Sequence, residues 1–287
     1  MLSPIIKWAG GKRQLLDTII PMIPPIRGMY YEPFAGGLAV MTSLYSKKKI
    51  KNVTVSDLNP ELINLYVTVK DHPHSLIEEI SRLEFLNNKE FYYKLRDNFN
   101  SIKGMNDMRI ERAAMFLVLN RLCYNGLWRV NSKGEFNVPF GRYTNPEMVS
   151  RHHILKFSEM LQNVSIKKED FSSCIRGAQD SDFVYFDPPY FPVSHTAKFA
   201  EYTRESFSED DLERLLKVCR ALDNRNVRFL LSNSCTNMVQ DLFGEFRITI
   251  VDARRYINSI AAGRGGHKEV LIYNYDFPSR TLGFTNF

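Results

Sequence analysis

The chain has 287 residues, 44% of them hydrophobic, enough for one large domain or one domain with an insertion. Its 38 basic and 32 acidic residues give a net charge of +6, which weakly indicates a polyanionic partner. The four cysteines form no C-x-x-C pair, no apolar run reaches the roughly 20 residues of a membrane span, and no signal peptide is recognisable. We therefore expect no metal site, no membrane partner and a cytoplasmic location.

The first 72 residues alternate strand and helix patterns. Residues 28–34 form a short apolar run that leads into a glycine-rich turn and a helix-compatible stretch. A β-branched run, 51–57, follows, and Asn59 with Pro60 is typical of a helix N-cap and first helical position. This strand–helix–strand–helix order predicts the opening of a parallel α/β sheet.

The pattern changes after residue 72. Residues 73–122 predict helices, whereas 124–143 alternate short apolar runs with turn residues. Gly134 is the best candidate for the turn of a β-hairpin in this second stretch, because it tolerates a positive φ. We interpret residues 73–160 as an insertion into the sheet.

Strand patterns resume in the last part of the chain. They cover residues 163–171, 182–187, 226–234 and 268–275. A helix begins after Ser208, its predicted N-cap, with a stripe of apolar residues that predicts a buried face. The stripe consists of Leu212, Leu215, Leu216, Cys219 and Leu222. The sequence therefore predicts a sheet domain at 1–72 and 161–277, the insertion at 73–160 and a loose tail at 278–287.

Acidic residues are predicted at several strand ends, the edge where parallel sheets bind ligands. Asp57 lies 20 residues after Gly37, the usual place for a carboxylate that holds ribose hydroxyls, although it could merely start the turn before Asn59. Asp170 ends the strand after the insertion beside Phe171, a pair that suits a purine or, equally, a strand end and a core ring. Together with the glycine turn, these residues indicate an adenosine-containing ligand. No phosphate-loop motif indicates a triphosphate.

The stretch DFVYFDPPYF at 182–191 is a buried strand that ends in a carboxylate and two prolines. Pro188 has no N–H and restrains Asp187, so the chain leaves the strand in a fixed direction, continued by Pro189. The Asp187 carboxylate and the Pro188 carbonyl could then accept two hydrogen bonds from one planar amine, with the Tyr190 ring beside it. Such bonds would localise the nitrogen lone pair for attack, a preorganised electrostatic effect. A rigid strand end is the alternative for a bare D-P-P, but this context favours catalysis.

Several motifs carry a family resemblance. They are DPPY at 187–190, FAGG at 34–37, KWAGGK at 7–12, YNGLWR…GEFNVPFGRY at 124–143 and SNS at 232–234. The first two resemble amino-methyltransferases that use S-adenosylmethionine, and all five together resemble Dam-like DNA adenine-N6 methyltransferases that recognise GATC. The glycine motif precedes the insertion and DPPY follows it, the alpha-type order. The resemblance spans about Lys7 to Tyr275 and implies a Rossmann-like α/β methyltransferase sheet with an inserted, mainly helical DNA-recognition domain carrying a β-hairpin.

The resemblance also implies roles for individual residues. Those implied at the cofactor are Trp8, Gly10, Lys12, Glu32, Phe34, Gly36, Asp57, Asp170, Phe171 and Asp187. Within this set, Glu32, Phe34 and Gly36 line the methionine side, Asp57 holds the ribose, and the Asp170–Phe171 pair holds the adenine. The resemblance implies that Asp187 and Tyr190 hold the target base and that the catalytic residues are Asp187, Pro188, Pro189 and Tyr190. Taken by itself, the KWAGGK segment would predict only a glycine turn with a solvated lysine. The chain departs from the family at Leu38, where a small residue is usual, and at Glu169, where glycine is commoner.

Positive charge is concentrated in two stretches. Residues 109–142 carry six basic and two acidic residues and 247–268 carry five and one, a net charge of +4 each, whereas 71–100 carries −2. Such stretches suit a phosphate backbone, although scattered surface charge is the alternative. The residues that the resemblance implies at DNA are Lys7, Tyr124, Asn125, Leu127, Arg129, Pro139 and Tyr143. Among them Leu127, Arg129 and Pro139 are implied at base edges, Tyr124 and Asn125 beside the strand opened by base flipping, and Lys7 near a guanine.

The DPPY chemistry alone also permits an RNA, protein or cytosine-N4 amine methyltransferase, and a DNA-binding protein with a vestigial cofactor site is a further alternative. We favour a DNA adenine methyltransferase that uses S-adenosylmethionine on double-stranded DNA, as a monomer or a weak dimer. A restriction–modification role with a companion endonuclease and a solitary epigenetic role both stay open.

Overall fold

A computed structural model describes residues 2–190, 207–253 and 267–277 of the chain. Within them, seven strands form one sheet. The strands are β1 Met29–Glu32, β2 Asn52–Ser56, β3 Val164–Lys167, β4 Phe183–Phe186, β5 Arg228–Ser234, β6 Arg247–Ala253 and β7 His267–Tyr273. Their order across the sheet is β3-β2-β1-β4-β5-β7-β6.

The direction of the strands defines where a ligand would bind. Strands β1 to β5 are parallel, and β7 runs antiparallel between β5 and β6. The strand order reverses between β1 and β4, which are neighbours in the sheet. In an open α/β sheet, the crevice at the carboxyl ends of two such strands is the ligand site.

Helices precede, connect and follow these strands. They are α1 Leu16–Met22, α2 Ala39–Ser46, α3 Pro60–Asp71, α4 Pro73–Arg82, α5 Lys89–Ser101, α6 Arg109–Leu122, α7 Arg151–Leu161, α8 Phe171–Cys174, α9 Glu209–Asp223 and α10 Asn237–Leu242. Helix α6 packs against α3, α4 and α5, so the helices between β2 and β3 form one layer. In the described ranges, no helix is both long and apolar enough to cross a membrane.

The two faces of the sheet belong to separate hydrophobic clusters, because successive side chains of a strand point to opposite faces. Tyr30 lies in one cluster and Tyr31 in the other. The first cluster also contains Tyr92, Phe99 and Phe116 from α5 and α6. The inserted helices therefore share a continuous core with the sheet, which fixes their position relative to the strand ends.

Most sequence-predicted elements are confirmed. The predicted strands correspond to β1, β2, β3, β4, β5 and β7, and Asn59 caps α3 by accepting a hydrogen bond from Glu61 N at 2.9 Å. Ser208 begins α9 in a capping box with Asp211, and the five residues of its predicted stripe are all buried. Strand β6 and helices α1, α7, α8 and α10 were not predicted.

One local expectation needs correction, and the predicted hairpin is shorter than a regular two-stranded ladder. The strand after the insertion ends at Lys167, so Asp170 is not a strand end but the N-cap of α8. In 124–143, Gly134 does lie in a turn with a φ of +70°. However, strand pairing in this segment is limited to the isolated bridges Val130–Phe136 and Cys123–Phe140. Backbone hydrogen bonds flank the first bridge, from Asn131 N to Glu135 O at 2.9 Å and from Asn137 N to Arg129 O at 3.1 Å, so the hairpin around Gly134 is short.

Candidate active site

The glycine turn after β1 packs against the Trp8 ring and donates a hydrogen bond to the Asp57 carboxylate. Gly36 has a φ of +43°, and a Cβ there would lie 3.0 Å from the Trp8 ring, which leaves no room for a larger residue. Its N–H donates to Asp57 Oδ2 at 3.0 Å, and its carbonyl accepts from the Tyr66 hydroxyl. Trp8 and Gly36, both predicted at the cofactor, therefore lie in direct contact.

Asp57 connects this turn to the start of α3. Its Oδ1 accepts a hydrogen bond from Asn59 N at 2.9 Å, while Oδ2 holds Gly36. Burial raises the pKa of Asp57, and the backbone hydrogen bonds from Asn59, Gly36 and Leu58 act in the opposite direction. Asp57 thus begins a turn, as its alternative reading held, and also presents an oriented carboxylate at the ligand edge.

An ion pair joins the DPPY motif to the KWAGGK motif. Asp187 Oδ1 accepts from Lys12 Nζ at 2.5 Å and from Ser232 Oγ at 3.1 Å. The Lys12 side chain is only 2% exposed, so the expectation of a solvated lysine is wrong. Its Nζ also donates to the Gly10 carbonyl at 3.1 Å and lies 4.5 Å from the centre of the Tyr190 ring. Burial raises the pKa of Asp187, although Lys12 and Ser232 oppose this shift.

The direction of the chain after β4 follows from the two prolines. Pro188 is buried and Pro189 exposed, and Asp187 retains a partly open side chain that is 20% exposed. Ser232 lies on β5, the strand next to β4, which explains its reach to Asp187. Sequence reasoning singled out its SNS motif but gave Ser232 no role.

The Glu32 side chain is buried and hydrogen-bonded within the protein, although the sequence predicts it at the cofactor. Its Oε2 accepts hydrogen bonds from the Tyr30 hydroxyl at 2.5 Å and from Met41 N at 3.0 Å. Burial raises the pKa of Glu32 to about 8, with a further upward effect from Asp187, while the bonds from Tyr30 and Met41 lower it. The group is therefore mostly protonated at neutral pH and fastens α2 to β1.

The predicted adenine pair lies in a cluster of rings. Phe171 is buried and stacks on Phe34 with ring centres 5.2 Å apart. Burial alone would raise the pKa of Asp170, but hydrogen bonds from Ser172 and the ion pair with Arg214, 2.8 Å away, lower it. Phe34, Asp170 and Phe171 are thus brought together, and their role at adenine stays a prediction.

The composition of this edge fits a cationic adenosyl ligand. Carboxylates outnumber cations among the residues that surround it. The carboxylates are Asp57, Asp170 and Asp187, and the cations are Lys12 and Arg214. Leu58, directly after Asp57, is 62% exposed and offers an apolar surface that sequence reasoning missed. An apolar residue directly after a strand-end acid was the signal that could have revealed it.

A second group of predicted residues lies where the N-terminal segment meets the end of α6. Asn120 Oδ1 accepts from Lys7 N at 2.8 Å, and its Nδ2 donates to Lys7 O at 2.7 Å. Gly126 has a φ of +63°, and a Cβ there would collide with Lys7. Burial lowers the pKa of Lys7, whose Nζ lies 4.3 Å from the centre of the Tyr143 ring.

Tyr124 and Asn125, predicted beside the strand opened by base flipping, lie next to Lys7 and Tyr143. Asn125 N donates to the Tyr143 hydroxyl at 2.9 Å, and Tyr124 N donates to Pro139 O at 2.9 Å. Tyr124 and Pro139 are exposed, whereas Leu127 is half-buried. The structure therefore places these DNA-binding candidates on one contiguous surface.

Arg129 is exposed but oriented by a neighbour. Its Nε donates to Asn137 Oδ1 at 2.7 Å and its Nη2 to Asn137 O at 3.0 Å. Not all of the charge counted in 109–142 faces outward, because Arg112 is buried in an ion pair with Glu61 at 2.8 Å. Most of the second basic stretch, residues 254–266, lies outside the described residues.

These features together define a Rossmann-like methyltransferase fold. The DPPY carboxylate, Asp187, lies at the carboxyl end of β4, next to β1, where the strand order of the sheet reverses. Residues 8–257 match the family model of D12 class N6 adenine-specific DNA methyltransferases, and the chain belongs to this family. It is therefore an adenine-specific DNA methyltransferase, and DNA is its substrate.

Relatives of known name span nearly the whole chain. The type II methyltransferase M.MjaIII of Methanocaldococcus jannaschii is 44% identical over 292 residues, covering 96% of this chain and 99% of the relative. The type II methyltransferase M1.LlaDCHI of Lactococcus lactis subsp. cremoris is 42% identical over 278 residues, covering 96% of both chains. The DNA adenine methylase of Escherichia coli K12 is 35% identical over 268 residues, covering 93% of both.

Proposed function

We propose that the protein transfers a methyl group from S-adenosylmethionine to N6 of an adenine flipped out of double-stranded DNA, with GATC as its site. The observation that carries the proposal is the Asp187 carboxylate at the end of β4, paired with Lys12 at 2.5 Å. Within the described residues, its hydrogen bonds fall on Oδ1, so Oδ2 is available to a target amine.

The chemistry of Asp187 follows from these contacts. Two acceptors, Oδ2 of Asp187 and the Pro188 carbonyl, would draw the amine protons out of the plane of the base, and Tyr190 would stack on its ring. Because burial raises the pKa of Asp187, the adjacent Lys12 ammonium is needed to favour the ionised, accepting form. Flipping is required because the amine of a paired adenine is otherwise inside the duplex.

S-adenosylmethionine would supply the electrophilic methyl group. On this chain, Asp57 would hold the ribose hydroxyls, since its carboxylate is already oriented at the glycine turn. Trp8, Gly10 and Lys12 in KWAGGK, and Glu32, Phe34 and Gly36 around β1, would lie along the methionine side. Asp170 and Phe171 would hold the adenine. The cofactor motif before the insertion and DPPY after it give the alpha-type order.

The DNA surface would consist of residues from the insertion and from the N-terminal segment, with 73–160 as the target-recognition domain on the catalytic domain of 1–72 and 161–277. Arg129 would read a guanine: Asn137 fixes its plane through Nε and Nη2, which leaves the Nη1 side of the fork for a base edge. Lys7, Leu127 and Pro139 would contact neighbouring base edges. Tyr124, Asn125 and Tyr143 would support the strand from which the adenine is removed.

The biological setting is inferred from the relatives. Two of them are named type II methyltransferases and another a DNA adenine methylase. The higher identity to the type II enzymes supports a restriction–modification role with a companion endonuclease, and we infer that the enzyme acts as a monomer or a weak dimer on DNA. A genomic neighbour encoding an endonuclease that cleaves the unmethylated site would support this role.

The direct test is methyl transfer from labelled S-adenosylmethionine to duplexes that differ from GATC at one base pair, followed by nucleoside analysis. We expect N6-methyladenine in the GATC duplex only. Arg129→Ala should cost about 1–3 kcal/mol on GATC and lose discrimination at one guanine position. Lys133→Ala, an exposed change in the same turn, is the matched control and should affect all duplexes alike. An equal loss on every duplex with Arg129→Ala would make that arginine a backbone contact.

A further inference from the structure

A buried carboxylate outside the predicted site lies behind Lys12. Antiparallel pairing of β5 and β7 places Glu269 opposite Ser234, at the same edge of the sheet as Asp187. Its side chain is 6% exposed, and its Oε2 lies 3.9 Å from Lys12 Nζ. Among the residues that the structure describes, this oxygen accepts no hydrogen bond.

Burial of the Glu269 carboxylate and the Lys12 ammonium destabilises the fold unless the two charges stabilise each other. A buried carboxylate oxygen without a hydrogen-bond partner is destabilising, and so is a buried ammonium without a neighbouring negative charge. Lys12 lies between two carboxylates, Asp187 at 2.5 Å and Glu269 at 3.9 Å, and also donates to the Gly10 carbonyl. The second carboxylate offsets the burial of the ammonium without competing for the hydrogen bond to Asp187, because it lies beyond hydrogen-bond distance.

We propose that Glu269 is a positioning residue that acts through Lys12, holding the ammonium directed at Asp187. Asp187 then stays ionised while it accepts a hydrogen bond from the target amine. Glu269 contacts neither the base nor the reacting atoms in this scheme. The inference rests on the role proposed above for Asp187.

The test is the single-turnover rate of methyl transfer at saturating S-adenosylmethionine and duplex. Glu269→Gln, which removes the charge but keeps the shape, should lower this rate about tenfold. The dissociation constant for S-adenosylmethionine should change less than twofold. Glu269→Asp, which keeps the charge, should stay within threefold of the wild-type rate. In a Lys12→Met background, Glu269→Gln should change the rate less than twofold, because the residue acts only through Lys12.

A matched control is Asp182→Asn. Asp182 is also a buried carboxylate, but it lies at the amino end of β4 and accepts from Met29 N at 2.7 Å and Gln179 N at 2.8 Å. This variant should lower the unfolding temperature and leave the single-turnover rate unchanged.

Four results would overturn the inference. They are a wild-type rate for Glu269→Gln, an equal loss for Glu269→Asp, an undiminished effect in the Lys12→Met background, and a Glu269→Gln variant that does not fold. The last would assign the residue to stability alone. If the wild-type protein methylated no duplex, the proposed function itself would fail. If Asp187→Ala abolished transfer and the Glu269 variants did not, only this inference would fail.

Discussion

Replacing Asp187 should damage both the rate and the stability of the enzyme. Asp187→Ala removes one acceptor for the target amine, which costs about 10²–10³ in single-turnover rate. Among the described residues, it also leaves the Lys12 ammonium, 2% exposed, with the Gly10 carbonyl at 3.1 Å, Glu269 at 3.9 Å and the Tyr190 ring centre at 4.5 Å. An orphaned buried charge typically costs about 3–5 kcal/mol. Because Asp187 is 20% exposed and water can enter the vacated space, we expect the lower end, about 3 kcal/mol.

A second substitution separates the two effects. Lys12→Met in the Asp187→Ala background removes the orphaned charge, so more than half of the lost stability should return while methyl transfer stays at the level of Asp187→Ala. Urea unfolding gives the stability and a rapid-quench assay with labelled cofactor gives the rate. If Asp187→Ala unfolded at the wild-type urea concentration, the ion pair would contribute nothing. A near-normal rate would refute the role of the carboxylate as acceptor.

Two further predictions concern the other carboxylates of the site. Asp57→Ala should weaken S-adenosylmethionine binding about 10–100-fold, since a hydrogen bond to a charged group contributes about 1.5–3 kcal/mol. The affinity for DNA without cofactor should change less than twofold. If calorimetry showed an unchanged affinity for the cofactor, another residue would have to bind the ribose. Glu32 has a pKa raised from 4.5 to about 8, so the native state holds its proton more tightly than the unfolded state, and stability should fall as the pH rises from about 5 to about 8. In Glu32→Gln, the decrease in the free energy of unfolding between these two pH values should be smaller than in the wild type by on the order of 4 kcal/mol. Urea unfolding at about pH 5 and about pH 8 measures it. The same decrease in the wild type and in Glu32→Gln would contradict the raised pKa.

Local patterns were sufficient for most of the fold. The apolar runs of β1, β4 and β5 are bounded by glycine, proline or acidic residues, and the caps at Asn59 and Ser208 mark helix starts by their own chemistry. Strand β6 was missed because it is an edge strand, with Ile250 exposed on it and a charged residue near each end, Arg247 and Asp252. Such a strand carries only a weak alternation of apolar and polar residues.

The parts of the site that sequence reasoning missed depend on distant contacts. The partner of Lys12 is 175 positions away, and neither residue carries a local sign of the other, which is why the lysine alone predicts a solvated side chain. Glu269 occupies an ordinary place in an alternating strand, so its burial beside Lys12 becomes visible only with the sheet order. Arg112 was counted as DNA-facing charge, yet Glu61 and the packing of α3 on α6 hold it inside. Charge counts along a sequence do not distinguish the two locations.

The N-terminal segment explains how recognition and catalysis can share one structure. Its Lys7 backbone is fastened to Asn120 at the end of α6, its Trp8 ring covers the glycine turn at Gly36, and its Lys12 reaches Asp187. One short segment therefore connects the insertion to the carboxylate for which we propose the catalytic role. Because Asn120 binds both the N–H and the carbonyl of Lys7, this segment cannot slide without breaking two partly buried hydrogen bonds, each worth about 1 kcal/mol net. If Asp187 holds the target base as proposed, this attachment would keep the insertion and the carboxylate in a fixed relation during methyl transfer.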